Sequence, residues 1–307
     1  MDIGFKAICA YPDGDFKNLT ITKRLIQSSD IRICEYPMDR IAPEKESKAP
    51  LEGKTVLITG GGRGIGAATS KLLASRGANV IVNYLRNKEA AERLVAEIKS
   101  SKETEQHTAG DAITIQADVR DADQVQRMVD EAIRRYGQID ILVNNANTGR
   151  FELKAFLETT WQDFLERYSD EMKADYEVTR AVLPSMLKRQ YGKLIYITTG
   201  SARYTMPAGV MTFAIAKSSL VTFSRYLAQE FGKQGITSNI LAPELTETDA
   251  NIYMPQEAKQ QIASLTARGR VGKPEDVAGA VAFLASDDGN FVTGTYIPVD
   301  GGFILVG

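Results

Sequence analysis

The chain has 307 residues, 43 % of them hydrophobic and 25 % charged, ordinary proportions for a globular protein and enough for one large α/β domain or two small ones. A formal net charge of −2 offers no basic surface to recommend nucleic acid as a partner, and no apolar run approaches the ~20 residues of a membrane span. One histidine and two cysteines leave a zinc centre or a Ser-His-Asp triad almost nothing to be built from.

The first 50 residues differ from the rest. "FKAICAY", "LTITKRLI" and "IRICEYP" are short and β-prone, separated by "PDGD" and "QSSD", and lead into the polar linker "DRIAPEKESKAP". This predicts a small β-ribbon or an added edge that serves as a packing or oligomer-contact arm on a domain spanning 51–307. The N-terminus lacks the apolar stretch of a signal peptide, which predicts a cytoplasmic protein with Cys9 and Cys34 as reduced thiols. His107, in "SSKETEQHTAGD", reads as a solvated loop residue.

From Leu51 onward strands and helices alternate. "TVLITG" is a buried strand and "GAATSKLLASRG" a helix with a glycine stop; "NVIVNY", "KEAAERLVAEIKS", "AITIQADV", "ADQVQRMVDEAIRRYG" and "IDILVNNA" continue strand, helix, strand, helix, strand. The helix "FLERYSDEMKADYEVTRAVLPSMLKRQ", the strand "GKLIYITTG", the helix "TFAIAKSSLVTFSRYLAQEFGKQ" and the strand "TSNILAP" follow. The chain closes with the helix "PEDVAGAVAFLAS" and the strand "TYIPVDGG". Such alternation predicts a doubly wound, Rossmann-type α/β domain: a parallel sheet covered by helices on both faces.

The segment "TGGGRGIG", Thr59–Gly66, lies between the first strand and the first helix of this pattern. A glycine-rich turn there lets backbone N–H groups and a helix N-terminus approach a pyrophosphate, which a Cβ would hold away. Gly60, Arg63, Gly64, Ile65 and Gly66 are therefore cofactor-site candidates. The next strand ends at Asn83, where NAD enzymes usually carry an acid for the ribose 2′-hydroxyl. With no carboxylate there, and with Arg63 in the loop and Arg86 just beyond, the pattern favours NADP(H), whose 2′-phosphate needs cations. Arg86 reads equally as a solvated surface charge.

Residues 51–307 resemble the short-chain dehydrogenases/reductases, near the 3-oxoacyl-carrier-protein reductase type. Five motifs carry the resemblance: "TGGGRGIG"; "ADV" (Ala117–Val119); "NNA" (Asn144–Ala146); "TFAIAK" in place of the family's Tyr-x-x-x-Lys; and "TGTYIPVDGG". It implies a seven-stranded sheet, a small-molecule substrate, assembly as a homodimer or homotetramer, and an adenine site capped by Asp118 and Val119. Asn144 and Ala146 then lie along the cofactor, Lys217 holds the nicotinamide ribose, and Pro243, Thr246 and Thr248 border the nicotinamide.

The family's four catalytic positions are only half kept. Phe213 stands where the resemblance places the general-acid tyrosine, with Lys217 four residues on. Thr199 takes the serine position, with Ser201 as the alternative hydroxyl, and Glu171 the asparagine position. "NNAG" has become "NNAN" with Asn147, and Pro-Gly has become Pro243-Glu244. Losing a positioned general acid costs about 10²–10⁴ in rate, so another donor is needed for carbonyl reduction. Glu171, Tyr204 and Tyr176 are candidates; Glu171 can equally be the salt-bridge partner of Lys217. Three readings follow: an NADP(H)-dependent oxidoreductase for acyl or polyketide-like carbonyl or hydroxyl compounds with a modified proton path, a non-redox dehydratase or isomerase acting through Glu171 or Glu244, and a non-catalytic NADP(H)-binding subunit.

Overall fold

The computed structural model describes residues 5–10, 16–21, 49–102, 110–148, 153–204 and 209–304. The chain divides into two compact units, Met1–Ser47 and Lys48–Gly307. In the first, β1 (Phe5–Ala10) and β2 (Phe16–Ile21) pair antiparallel, Phe5 opposite Ile21 and Ala10 opposite Phe16. The expected second strand thus starts three residues early, at Phe16 rather than Leu19. The expected strand "IRICEYP", Cys34, most of the linker and His107 lie outside the described residues.

In the second unit the expected alternation is present: β3 (Thr55–Ile58), α1 (Gly64–Ser75), β4 (Asn79–Tyr84), α2 (Lys88–Lys102), β5 (Ala112–Gln116), α3 (Ala122–Tyr136) and β6 (Ile141–Asn144). It continues through α4 (Trp161–Arg189), β7 (Gly192–Ile197), α5 (Met211–Phe231), β8 (Ile236–Pro243), α6 (Gln256–Leu265), α7 (Pro274–Ala285) and β9 (Tyr296–Val299). Helix α6 is absent from the sequence reading. None of its residues is buried, so "QEAKQQIASL" carries no core-facing stripe to announce it.

The seven strands form one parallel sheet in the order β5-β4-β3-β6-β7-β8-β9. Side chains alternate across it. Val56 and Ile58 pack with α1, α2 and α7, while Leu57 faces the opposite core with α3, α4 and α5. The chain winds outward from β3 to β5, returns to the other side of β3 at β6, and winds outward again. That reversal opens a crevice at the carboxyl ends of β3 and β6, where doubly wound sheets bind ligands. The edge strand β9 carries Pro298, paired opposite Ala242. Among the described residues no helix is long and apolar enough to cross a membrane.

Below the sheet, at the end away from the crevice, Asp140 closes the fold. It is 1 % exposed and accepts from the Thr55 N–H at 2.9 Å, from Gln138 Nε2 at 3.0 Å and from Arg189 Nη1 at 2.6 Å. It thereby joins the start of β3, the approach to β6 and the last turn of α4. Asp140→Ala leaves a buried N–H without its acceptor and a half-buried guanidinium with only the Ile139 carbonyl, and is expected to lower unfolding free energy by about 2–3 kcal/mol, measured by urea denaturation.

Candidate active site

The glycine loop follows β3 directly. Gly60 adopts φ +60° and Gly64 φ +50°, conformations L side chains avoid. A Cβ on Gly66 would lie 2.4 Å from the Gly60 carbonyl oxygen and 2.7 Å from Asn145 Nδ2, so α1 can pack against the turn only with hydrogen at that position. Helix α1 starts at Gly64 with no side-chain cap and no acid in its first turn. The N–H groups of Gly64, Ile65 and Gly66, with the positive end of the helix dipole, make a ready anion seat. The Ile65 side chain packs inward against the core.

Two asparagines hold the loop in shape. Asn83, 2 % exposed, accepts from the Gly60 N–H at 3.2 Å and donates to the Ala117 carbonyl at 3.1 Å. Its side chain therefore joins the glycine loop to the end of β5, with its polar atoms taken up by backbone groups. A central strand buried on both faces turns its polar side chains onto backbone groups. On the other side, Asn145 donates to the carbonyls of Thr59 at 3.0 Å and Gly60 at 3.1 Å, while Thr59 Oγ1 accepts from the N–H groups of Asn145 and Ala146. Thr59 and Asn145 were not singled out by sequence, although both lie in the quoted motifs.

Arg63 and Arg86 are exposed, and neither has an ion-pair partner among the described residues. Asp118 stands at the β5 end of the crevice, where the Arg120 guanidinium grips both its oxygens and holds its carboxyl below the usual carboxylate range. Arg120 reaches on to Asp170 of α4 at 2.8 Å. Val119 is buried in the core beside α3. After β8, which ends at the buried Pro243, the loop bends back over the glycine turn: the Thr248 methyl rests where a Gly64 Cβ would come within 3.0 Å. Thr246 is buried and donates to the Glu244 carbonyl at 3.0 Å.

The interface of α4 and α5 is dominated by charge. Lys217, 4 % exposed, ion-pairs with Glu171 Oε1 and donates to the Ile197 carbonyl at the end of β7 at 3.0 Å. Glu171 Oε2 meets Arg167 Nη2 at 3.4 Å, so one carboxylate faces two cations. Arg167 also donates to Asn147 Oδ1 at 2.8 Å and lies over the Phe213 ring, 4.9 Å from its centroid. Asn144, closing β6, donates to Thr179 Oγ1 at 3.4 Å. One turn beyond Glu171, Asp175 is buried, and burial pushes its carboxyl up to about 8, with Glu171 acting in the same direction and Lys217 opposing. Asp175 and Arg167 were missed by sequence, where both were lost in a long polar helix. Their spacing of four from Glu171 was the available signal.

At the end of β7, Thr199 Oγ1 and Ser201 Oγ lie 3.2 Å apart. Glu244 packs against the intervening Gly200, its carboxyl raised chiefly by burial and its Oε2 buried without a hydrogen bond among the described residues. Tyr204 likewise buries its hydroxyl without a partner among the described residues. Tyr176 does not join this group: it is exposed on the outer face of α4, with Arg180 over its ring.

A parallel sheet with a glycine turn and a bare helix N-terminus at its switch point defines a dinucleotide-binding protein of the doubly wound class. Residues 60–304 match the family described as enoyl-(acyl carrier protein) reductase. The 3-oxoacyl-(acyl-carrier-protein) reductase FabG of Staphylococcus aureus is 34 % identical over 253 residues, 82 % of this chain and 98 % of that one. Versicolorin reductase stcU of Emericella nidulans is 36 % identical over 264 residues, 82 % of this chain and 96 % of its own. The crystal structure of a short-chain dehydrogenase from Burkholderia cenocepacia in complex with NADP shares 33 % identity at a TM-score of 0.73, covering 83 % of this chain and 99 % of that one. The chain belongs to the short-chain dehydrogenase/reductase family of oxidoreductases.

The raised Asp175 carboxyl has a consequence for stability. An unfolded aspartate ionises near 3.8, the folded one near 8, so the folded state holds the proton more tightly. The stabilisation is fully present below the unfolded value and is lost as pH rises through the folded one. Between pH 5 and pH 8 the thermal midpoint of the wild type is expected to fall several degrees more than that of Asp175→Asn, followed by circular dichroism.

Proposed function

We propose that this protein is an NADP(H)-dependent oxidoreductase acting on an acyl or polyketide-like carbonyl or hydroxyl compound through a proton path that does not use a tyrosine. The observation that carries the reading is the glycine turn against the uncapped N-terminus of α1, with Arg63 exposed at that N-terminus, Arg86 exposed two residues beyond β4, and no acid at the end of β4. When bound, the cofactor supplies or accepts hydride at the nicotinamide; the chain's own residues must bind, orient and move the proton. Gly60, Gly64, Ile65 and Gly66 would hold the pyrophosphate, with Asp118 and Val119 at the adenine end. Asn144, Ala146, Pro243, Thr246 and Thr248 would line the nicotinamide half.

The acyl substrate class draws support from the names of the relatives, reductases of 3-oxoacyl-carrier protein and of versicolorin. Phe213 occupies the tyrosine position of the family pattern and has no proton to give. Thr199 and Ser201 offer the hydroxyls that can donate to a carbonyl oxygen. Glu171, in the asparagine position, is engaged by Lys217 and Arg167, which suits a clamp that fixes the lysine more than an acid. That same engagement favours the second reading, a binding subunit without turnover. A homo-oligomeric, cytoplasmic protein is part of the proposal.

Two measurements decide between the readings. NADPH is expected to bind at least about tenfold more tightly than NADH by calorimetric titration, a difference of about 1.4 kcal/mol, with Arg63→Ala and Arg86→Ala narrowing the gap; equal affinities count against the NADP assignment. Phe213→Tyr adds one hydroxyl beneath the Arg167 guanidinium and one helical turn from Lys217, two cations that favour the phenolate. It is expected to raise NADPH-dependent reduction of an activated ketone by roughly 10–10³-fold. A variant that binds NADPH and gains no rate favours the binding subunit.

A further inference from the structure

Three of the chain's departures from the family pattern, Asn147, Glu171 and Phe213, meet at one side chain. Arg167 Nη2 donates to Asn147 Oδ1 at 2.8 Å and to Glu171 Oε2 at 3.4 Å, and its guanidinium lies 4.9 Å from the centroid of the Phe213 ring. Arg167 stands one helical turn before Glu171 on α4, and its side chain is almost wholly buried. The three contacts differ in kind. Asn147, exposed three residues beyond β6, is a neutral acceptor at the carboxyl end of the sheet. Glu171 is an anion shared with Lys217. Phe213 is a half-buried ring whose face attracts a cation. Together they fix the guanidinium beside the ring that stands in the tyrosine position, one turn of α5 from Lys217.

Replacing a phenol by such a cation changes the chemistry. A tyrosine gives a carbonyl oxygen its proton. A guanidinium gives the oxygen positive charge and hydrogen bonds but keeps its own protons, because arginine is not deprotonated in proteins. Burial works against the charge of Arg167, while Glu171 and Asp170 support it. A ketone reduced at its carbonyl carbon becomes an alkoxide, a strong base that needs a proton on oxygen at once. A conjugated acyl compound reduced at its β carbon becomes an enolate, a weaker base that takes its proton later and on carbon. A fixed cation serves the second reaction and leaves the first unfinished.

We infer that Arg167 is the oxyanion seat of this site, and that the reaction it suits is reduction of a carbon–carbon double bond conjugated to an acyl carbonyl. The inference rests on the NADP(H) oxidoreductase reading above. Hydride adds to the β carbon. The C=C π pair shifts to lie between the α carbon and the carbonyl carbon, and the C=O π pair moves onto oxygen. The guanidinium holds that oxygen by charge and N–H donation. Solvent then protonates the α carbon and the carbonyl re-forms. The substrate gains two hydrogens and the two electrons carried by the hydride, and Arg167 neither gains nor loses a proton.

Dimedone, an enolate at neutral pH, and its uncharged methyl enol ether are the binding probes, titrated calorimetrically into the protein alone and with NADP. Wild type is expected to bind the enolate at least about tenfold more tightly than the ether, Arg167→Gln to lose that preference, and Arg167→Lys to keep part of it. A wild type without the preference overturns the inference, and so does Arg167→Gln that keeps it in full. Turnover gives an independent reading. NADPH oxidation is expected to be at least about tenfold faster with crotonyl-N-acetylcysteamine than with acetoacetyl-N-acetylcysteamine. The reverse order overturns the assigned reaction. A wild type that prefers the enolate yet oxidises NADPH with neither thioester overturns the oxidoreductase reading instead, and the oxyanion seat stands as a binding site.

Discussion

Between α4 and α5 the ammonium of Lys217 meets the carboxylate of Glu171 in a space almost closed to water. Two charges there attract by about 4 kcal/mol at 4 Å in an effective dielectric near 20, yet removing each from water costs several kcal/mol. The pair therefore adds little net stability and much geometry. It fixes the rotamer of Lys217, leaves one of its hydrogens to bond the Ile197 carbonyl, and sets α5 against the end of β7. Arg167 joins the same carboxylate from above, which places a cation over the Phe213 ring. One turn further on, Asp175 is buried beside this pair, and burial raises its carboxyl against the pull of Lys217.

The crevice has a second organising network, made of amides where the first is made of charges. Asn83 reaches from β4 to both the glycine turn and the end of β5, and Asn145 reaches from β6 back to Thr59 and Gly60. The loop that would face a pyrophosphate is thus held from both sides by neutral donors and acceptors. Neutral struts leave the field of the α1 N-terminus undiminished, whereas an acid at either place would oppose a phosphate.

Much of this was legible in the sequence because both the sheet and the turn rest on local rules. Continuous apolar runs such as "VLITG" and "LIYIT" mark strands covered on both faces, and glycine at 60, 64 and 66 answers to close backbone approach. The ion pair of Lys217 with Glu171 was anticipated as one of two roles for the acid. What failed depended on direction. The backbone partners of Asn83 at Gly60 and Ala117 could not be read from the motif alone. Asp175 and Arg167 were invisible because a polar residue in a helix reads as solvent-facing until its neighbours at four-residue spacing are taken together. Helix α6 went unseen because it packs no stripe against the core.

The edge strand β9 puts a proline, Pro298, in its second-last pair with β8. Proline has no amide hydrogen, so it survives in a sheet only where the missing donor would have pointed away from the neighbouring strand. That leaves a gap in the row of backbone donors on the outer margin of the sheet. An added strand from another molecule would lose a bond there, which discourages the open-ended stacking to which bare margins are prone. Whatever approaches this side has to be recognised by its side chains.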